Sequence, residues 1–487
     1  MNTERSDLHW RYFALIAIAF IPSVYSLVIT TDNDLWWHWK TGEWVWNNGT
    51  VTTTDPFSRP GIVEHIPWMS YSWMFELLTF AISNTAVLKT VLNGFTFLCL
   101  SFFLFSRAGF TWKALGLLFL VTIPCTFMMM ERPWHFTIWF TLATLQISDR
   151  ILADRPARTD WLLPALYVLW ANTHIQFVLG FAVLGLACME SFRRCLKARA
   201  LQPELKRLQP ELKRIGTLLV LCVLATLLNP YHVKLWIVIW EYATQTTALR
   251  NVLELTPPDF SEIKQWILLG LFTWALVKLI KQRFPFWESI LFATCVFFSL
   301  RMRRDVWFGA VVSGMILTSR GKANPPVVTF RLVPTLICIL SSLLLTRGIY
   351  ASSILKLPPF GKPNEEQFPV EAVNWIHAHP LPGPICNHFD WGGYLIWALP
   401  EYPVSIDGRT NLFGEARLAR SFRTWWQAEN WEEDPDIKQA GFILAPAKVA
   451  TGRPMPLTEK LLLAADRWEV AYRDNIAIIF VPRLRQP

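Results

Sequence analysis

Two aspartates, Asp32 and Asp34, stand two positions apart in TDNDLWWHWKTGEWVWNNGTVTTTDPFSRP, Thr31 to Pro60. Two further acids interrupt apolar surroundings far along the chain, Glu131 in ERPWHF and Asp259 in PPDFSE. Four arginines keep similar company: Arg132, and Arg301, Arg303 and Arg304 in SLRMRRDVWF. Three histidines, His38, His135 and His174, complete the set. A carboxylate in partly dehydrated surroundings is suited to general-base work. Clustered guanidiniums need an anion, and phosphate matches their fork geometry. Each residue also has a plainer reading. Asp32 fits an N-cap, His174 a helix-end histidine, and the arginines fit lipid headgroups or a pair with Asp305.

The elements that carry these residues are set by composition. Of 487 residues, 53% are hydrophobic and 17% charged, against roughly a quarter charged in soluble chains. Apolar runs at 12–30, 87–106, 113–130, 134–149, 160–172, 176–192, 215–229, 263–280, 285–300, 304–318 and 329–347 give about 11 crossings, several of them near the length of about 20 residues that a bilayer requires. The expected class is an α-helical polytopic membrane protein. MNTERSDLHWRY leads into the first run with no small-residue cleavage site, so no cleaved signal is expected.

Lysine and arginine bias orients the runs. The basic stretch 193–214, which repeats LQPELKR at 201–207 and 208–214, reads as a cytoplasmic loop. Arg107/Lys113, Arg150/Arg155/Arg158, Lys278/Lys281/Arg283 and Arg320/Lys322 fall on the same side. The N-terminus is then cytoplasmic. Asp32, Asp34, His38, Glu131, Arg132, His135, His174, Asp259 and the 301–305 cluster gather outside, where ionisable groups at membrane depth mark functional sites.

Residues 1–349 are expected to form the membrane module. Its first external loop, 31–86, carries helices near 36–47 and 70–83 lying on the membrane surface. Residues 350–487 read as a small extracytoplasmic α/β domain, with strands at PVSID, GFILAP, RWEVAYRD and NIAIIFVPR and helices at VEAVNWIHAH and EARLARSFRTWWQ. Most of the 26 tryptophans suit membrane interfaces, while Trp36, Trp37 and Trp68 could stack on a sugar ring. Seven of eight cysteines lie in or beside apolar runs, which leaves Cys386 without a disulfide partner in its domain. No phosphate-binding loop, dinucleotide fingerprint, HExxH or nucleophile elbow occurs.

The first loop and the topology resemble the GT-C superfamily, polytopic glycosyltransferases that use lipid-phosphate sugars. Protein O-mannosyltransferases and aminoarabinose transferases belong to it. DNDLWWHWKTGEWVWNNGTVTTTDPFS, ERPWHF, LWANTHIQFVLG, NPY and FDWGGYLIWALPEYPVSIDGRTNLFG are similar to a group of bacterial glycosyltransferase-like membrane proteins. The resemblance implies transfer of a sugar from a polyprenyl-phosphate donor to an extracytoplasmic glycan, lipid or protein acceptor at the inner membrane. Asp34 or Asp32 would be the general base, with Glu131 or Asp259 as the second acid. Arg132, Arg301, Arg303 and Arg304 would hold the lipid phosphate, and His38, Trp36, Trp37, His135 and His174 would line the substrate. Some members use a divalent ion such as Mg or Mn and others none; Asp32 and Asp34 would be its ligands here. Two rival readings are a transporter or lipid flippase, and a catalytically inactive relative that binds glycans through Asp390, Trp391, Tyr394, Asp407 and Arg409.

Overall fold

A computed structural model describes residues 32–109, 111–200, 202–319, 363–448 and 452–483. The expected runs at 12–30 and 329–347 and the 349/350 boundary lie outside the described residues. The described chain is mostly helical, with one small sheet near its C-terminal end. It divides into two compact units, one of residues 86–233 and 252–319, the other of 32–85, 234–251 and 363–483.

The first unit is helical throughout. Its helices are Thr85–Ala108, Trp112–Thr122, Trp134–Leu152, Leu163–Thr173, Val178–Lys197, Gln202–Ala225, Ile263–Gln282, Phe286–Arg301 and Val306–Thr318. Each overlaps an apolar run of the sequence. Three stretches, Thr85–Ala108, Ile175–Lys197 and Ile263–Gln282, are long and apolar enough to cross a membrane. The basic stretch 193–214 is largely helix: Val178–Lys197 runs into it, and Gln202–Ala225 takes in most of both LQPELKR copies, with Pro210 inside. The repeat is rich in strong helix formers, and two of its charges are paired, Glu211 with Arg194 at 3.6 Å and Arg214 with Asp160 at 3.0 Å.

The second unit joins the first loop to the C-terminal residues. The loop forms helices Leu35–Asn48, Arg59–Glu64 and Trp73–Ile82. Helices Leu35–Asn48 and Trp73–Ile82 touch so closely at Gly42 that a Cβ there would overlap the Glu76 carbonyl. Four strands, β1 (Ile385–Asn387), β2 (Phe442–Pro446), β3 (Trp468–Arg473) and β4 (Ala477–Pro482), form a sheet in the order β1-β2-β4-β3. Only β1 and β2 are parallel. PVSID is not a ladder strand. The Asn387 side chain stands in for one, accepting from the Ser405 amide at 2.9 Å and donating to the Ile406 carbonyl at 2.8 Å.

The loop's aromatic residues fill the core of this unit. Trp36, Trp37 and Trp68 are 3–5% exposed and share a cluster with Phe368, Tyr394 and Ile406. The Trp36 ring meets Phe368 and Tyr394, each at 5.8 Å and edge-on. Beside them sits Arg409, with its guanidinium buried. It donates to Asp407 at 2.7 and 2.9 Å and to Asp55 at 2.6 Å, and lies 4.5 Å over the Trp68 ring. Arg409→Met would leave Asp55 and Asp407 buried without their counter-ion. The expected loss is on the order of 3–5 kcal/mol, seen as a large drop in the unfolding midpoint of the purified chain. Arg417→Ala, which breaks only an outer pair with Glu64, should change that midpoint little.

Candidate functional site

The sequence-derived residues fall into the two units, and each set has its own geometry. In the second unit, the Asp32 carboxylate accepts the Asp34 amide at 2.7 Å, immediately before helix Leu35–Asn48. That bond closes the turn leading into the helix, whose N-cap is Asp34 with no side-chain capping bond. Asp34 packs against the SIDGRTN turn, where a Cβ at Gly408 would overlap its carboxylate. Both acids are buried, at 5% and 9% exposure. The second aspartate thus has a structural employment that spacing alone does not reveal.

His38 is also buried. Its Nδ1 lies 3.3 Å from Glu76, and the Ser70 hydroxyl donates to the other Glu76 oxygen. Burial pushes the Glu76 carboxyl up to about 8, against the opposing pull of the Ser70 hydroxyl and the Arg409 charge. Sequence reasoning missed Glu76, although a lone acid within the apolar helix WMFELLTF was a visible signal. The structure corrects four roles in this unit. Trp36, Trp37 and Trp68 are core residues with no face for a sugar, because Phe368, Tyr394 and their neighbours cover them. His38 lines no open surface, because Phe75 and Glu76 enclose it. Trp391, Tyr394, Asp407 and Arg409, assigned to glycan binding in one rival reading, are buried as well.

In the first unit, the remaining residues gather at connected helix ends. Glu131 faces Lys89 at 3.6 Å, and Arg132 reaches Glu254 at 3.4 Å. His135 bonds Thr96 at 2.8 Å and the Met130 carbonyl at 2.9 Å. His174 sits at the break between helices Leu163–Thr173 and Val178–Lys197, in extended backbone, with Nδ1 2.7 Å from Thr137. Burial holds its pKa well below the ordinary value, and the charges of Arg304 and Arg132 act in the same direction, so the imidazole is neutral at pH 7. Arg303 donates to Asp259 at 2.9 Å, and its backbone N–H donates to Thr256. Asp259 also accepts from the Ser261 hydroxyl and amide and from Gln265, and these bonds together with Arg303 hold its carboxyl well below the usual range. A carboxylate so stabilised is a poor base.

Arg301 and Arg304 differ from their neighbours. Arg301 is exposed at the end of helix Phe286–Arg301, and Nε of Arg304 is buried without a hydrogen-bond partner among the described residues. Asp305, next in sequence, accepts from Gln176 at 3.2 Å. The opposite ends of the same helices carry a second polar set. Arg107 meets Asp149 at 2.7 Å, and Lys278 donates to the carbonyls of Ile316, Leu317 and Ser319. Lys89 and Glu254 were not singled out from sequence. Lys89 was detectable as a cation inside TAVLKTVLNG, while Glu254 gave no signal apart from its neighbours.

Among the described residues, no group of three or more His, Cys, Asp or Glu side chains is placed to hold a metal ion. Compared with known proteins, the chain matches no protein-family model and no curated protein.

Glu76 yields a prediction whose sign follows from its elevated pKa. Between the free value of 4.5 and about 8, the folded chain holds a proton that the unfolded chain has released. Folding stability must therefore fall as pH rises through that window. Glu76→Gln cannot ionise. Thermal unfolding should show wild type losing ground to Glu76→Gln from about pH 5 to about pH 8; a constant gap would contradict the burial argument.

Proposed function

We propose that this chain is a membrane-embedded glycosyltransferase of the GT-C kind, taking its sugar from a polyprenyl-phosphate donor and delivering it to an extracytoplasmic glycan, lipid or protein. The observation that carries the reading is the helix-end cluster of the first unit. Arg303 and Arg132 are engaged by Asp259 and Glu254, whereas Arg301 and Arg304 retain donor capacity. A phosphodiester headgroup is the anion such guanidiniums recognise, since they stay charged and offer paired N–H donors. Apolar helices between two polar sets suit a lipid-linked donor, whose tail stays in the bilayer. The N-terminus is assigned to the cytoplasm and the arginine cluster to the outer face, on the distribution of lysine and arginine.

The reaction is a single displacement. An acceptor oxygen or nitrogen attacks the anomeric carbon while the bond from that carbon to the phosphate oxygen breaks. The electron pair leaves on the phosphate, where arginine stabilises it, and the acceptor's proton passes to a carboxylate. The anomeric centre inverts. The resemblance gives the carboxylate role to Asp34 or Asp32. Divalent metal is left to experiment.

Two measurements test this. Lipids co-purifying with the chain in mild detergent should include a polyprenyl phosphate, bare or glycosylated. It should vanish from Arg301→Ala/Arg304→Ala, a variant that keeps the Arg303–Asp259 pair. Ordinary phospholipids alone in both would overturn the donor assignment. Separately, Asp34→Asn should lower transfer from a radiolabelled polyprenyl-phosphate-sugar pool by about 10²-fold or more, with the unfolding midpoint unchanged. Asp32→Ala should act on stability, by about 1 kcal/mol, because it removes the acceptor of the Asp34 amide. Full transfer by Asp34→Asn would remove it as the base.

A further inference from the structure

A groove of about 640 Å³ runs between helices Ile263–Gln282 and Phe286–Arg301 in the first unit. That is within the size range of small-ligand sites, roughly 300–1,000 Å³. Its walls are almost wholly apolar, with Leu276, Ile280, Phe292, Val296 and Phe297 prominent among them. Ile280 and Phe297 are 69% and 60% exposed, so the wall is presented outward rather than sealed in a core. Arg283 lines the end where the two helices join.

The charge at that end is specific. Lys278 is committed to three main-chain carbonyls. Arg283 is exposed and makes no ion pair among the described residues, and Lys281, also exposed, is two positions away. The first-turn amides of helix Phe286–Arg301 begin three residues later, where a helix favours negative charge. The end of the groove therefore offers an anion a cation and a helix N-terminus, the first-turn carboxylate of Glu288 being buried, while its length is hydrocarbon apart from the Ser289 hydroxyl. This is a second site, distinct from the arginine cluster. Helix Phe286–Arg301 has 16 residues, which puts its first residue, three positions after Arg283, about 22 Å from Arg301 at ~1.5 Å per residue.

We propose that this groove binds one anionic phospholipid, with an acyl chain along the Leu276–Phe297 wall and the phosphate on Arg283. The inference rests on the membrane-embedded reading given above and places the lipid in the cytoplasmic leaflet, where anionic lipids meet basic pockets between helices. It does not involve the sugar donor.

The test uses the full chain in nanodiscs. These contain equal amounts of phosphatidylglycerol and phosphatidylcholine, one of the two carrying a photoreactive acyl chain in each arm. Labelled peptides are mapped by mass spectrometry. Residues 276–297 should be labelled about fivefold more by phosphatidylglycerol, the preference one surface cation supplies. Arg283→Gln should abolish that preference while leaving chain labelling in place. Ala293→Trp, at an exposed wall position, should remove groove labelling from both lipids. Equal labelling by the two lipids, a preference that survives Arg283→Gln, or label spread evenly over exposed Val220 and Leu224 would each overturn the site. No sugar donor is present, so the two proposals fail separately. A chain that carries polyprenyl phosphate but shows no headgroup preference loses only the groove. One that shows the preference but carries no polyprenyl phosphate loses only the donor.

Discussion

A guanidinium cut off from water has to be neutralised where it sits, and most of the second unit is arranged to do this for Arg409. Burial works against its charge, and Asp407 and Asp55 outweigh burial, so the group ends more basic than an ordinary arginine. Asp407 is its near neighbour in sequence. Asp55 comes from the first loop, more than three hundred residues earlier, and is itself held by the Phe57 and Ser58 amides and the Ser58 hydroxyl. The ion triad therefore fixes which part of the loop meets the 404–410 turn. Trp68 covers the guanidinium, and the cation over the ring adds electrostatic attraction to apolar packing. Such a triad contributes little net energy compared with an apolar replacement of equal shape. Its contribution is selectivity, because a misregistered loop would leave one charge buried alone.

The same logic explains where the aspartate pair went. With the loop registered by Asp55, Asp34 arrives against Gly408, one position before Arg409. Only a residue without a side chain leaves room for a carboxylate there. The spacing DxD, which suggested a metal site or a base with a helper, also satisfies two packing demands: one oxygen to accept an amide in the turn before a helix and one side chain to fill the space against Gly408. These uses are compatible with chemistry at Asp34.

Helix positions were legible because long apolar runs bounded by polar turns mark buried elements whatever their surroundings. Strands Phe442–Pro446, Trp468–Arg473 and Ala477–Pro482 were legible from β-branched and aromatic runs. PVSID had the same pattern and failed, because Asn387 supplies side-chain bonds where a ladder would form. Strand Ile385–Asn387 was missed for the complementary reason: three residues are too few to show a period. LQPELKR was read as a loop from its charge, but its helix propensity won once Glu190, Glu211 and Asp160 paired its arginines and those of its neighbour. The tryptophans misled most. Aromatic abundance in an apolar chain suggests interfaces and sugars, and composition cannot say that Trp36, Trp37 and Trp68 face inward.

Charge accounting in the first unit separates structural arginines from available ones. Among the described residues, five cations, Lys89, Arg132, Arg301, Arg303 and Arg304, stand among four carboxylates, Glu131, Glu254, Asp259 and Asp305. His174 adds no charge at neutral pH, since burial and two guanidiniums keep it deprotonated. One positive charge is left over. On the proposed reading that excess matches the single negative charge of a sugar phosphodiester. It is better suited still to the departing phosphate, whose charge grows as the bond breaks. Preorganised cations favour the state with more negative charge, so the imbalance would assist departure as well as binding. A fully neutralised cluster would hold the helices together equally well and would favour neither.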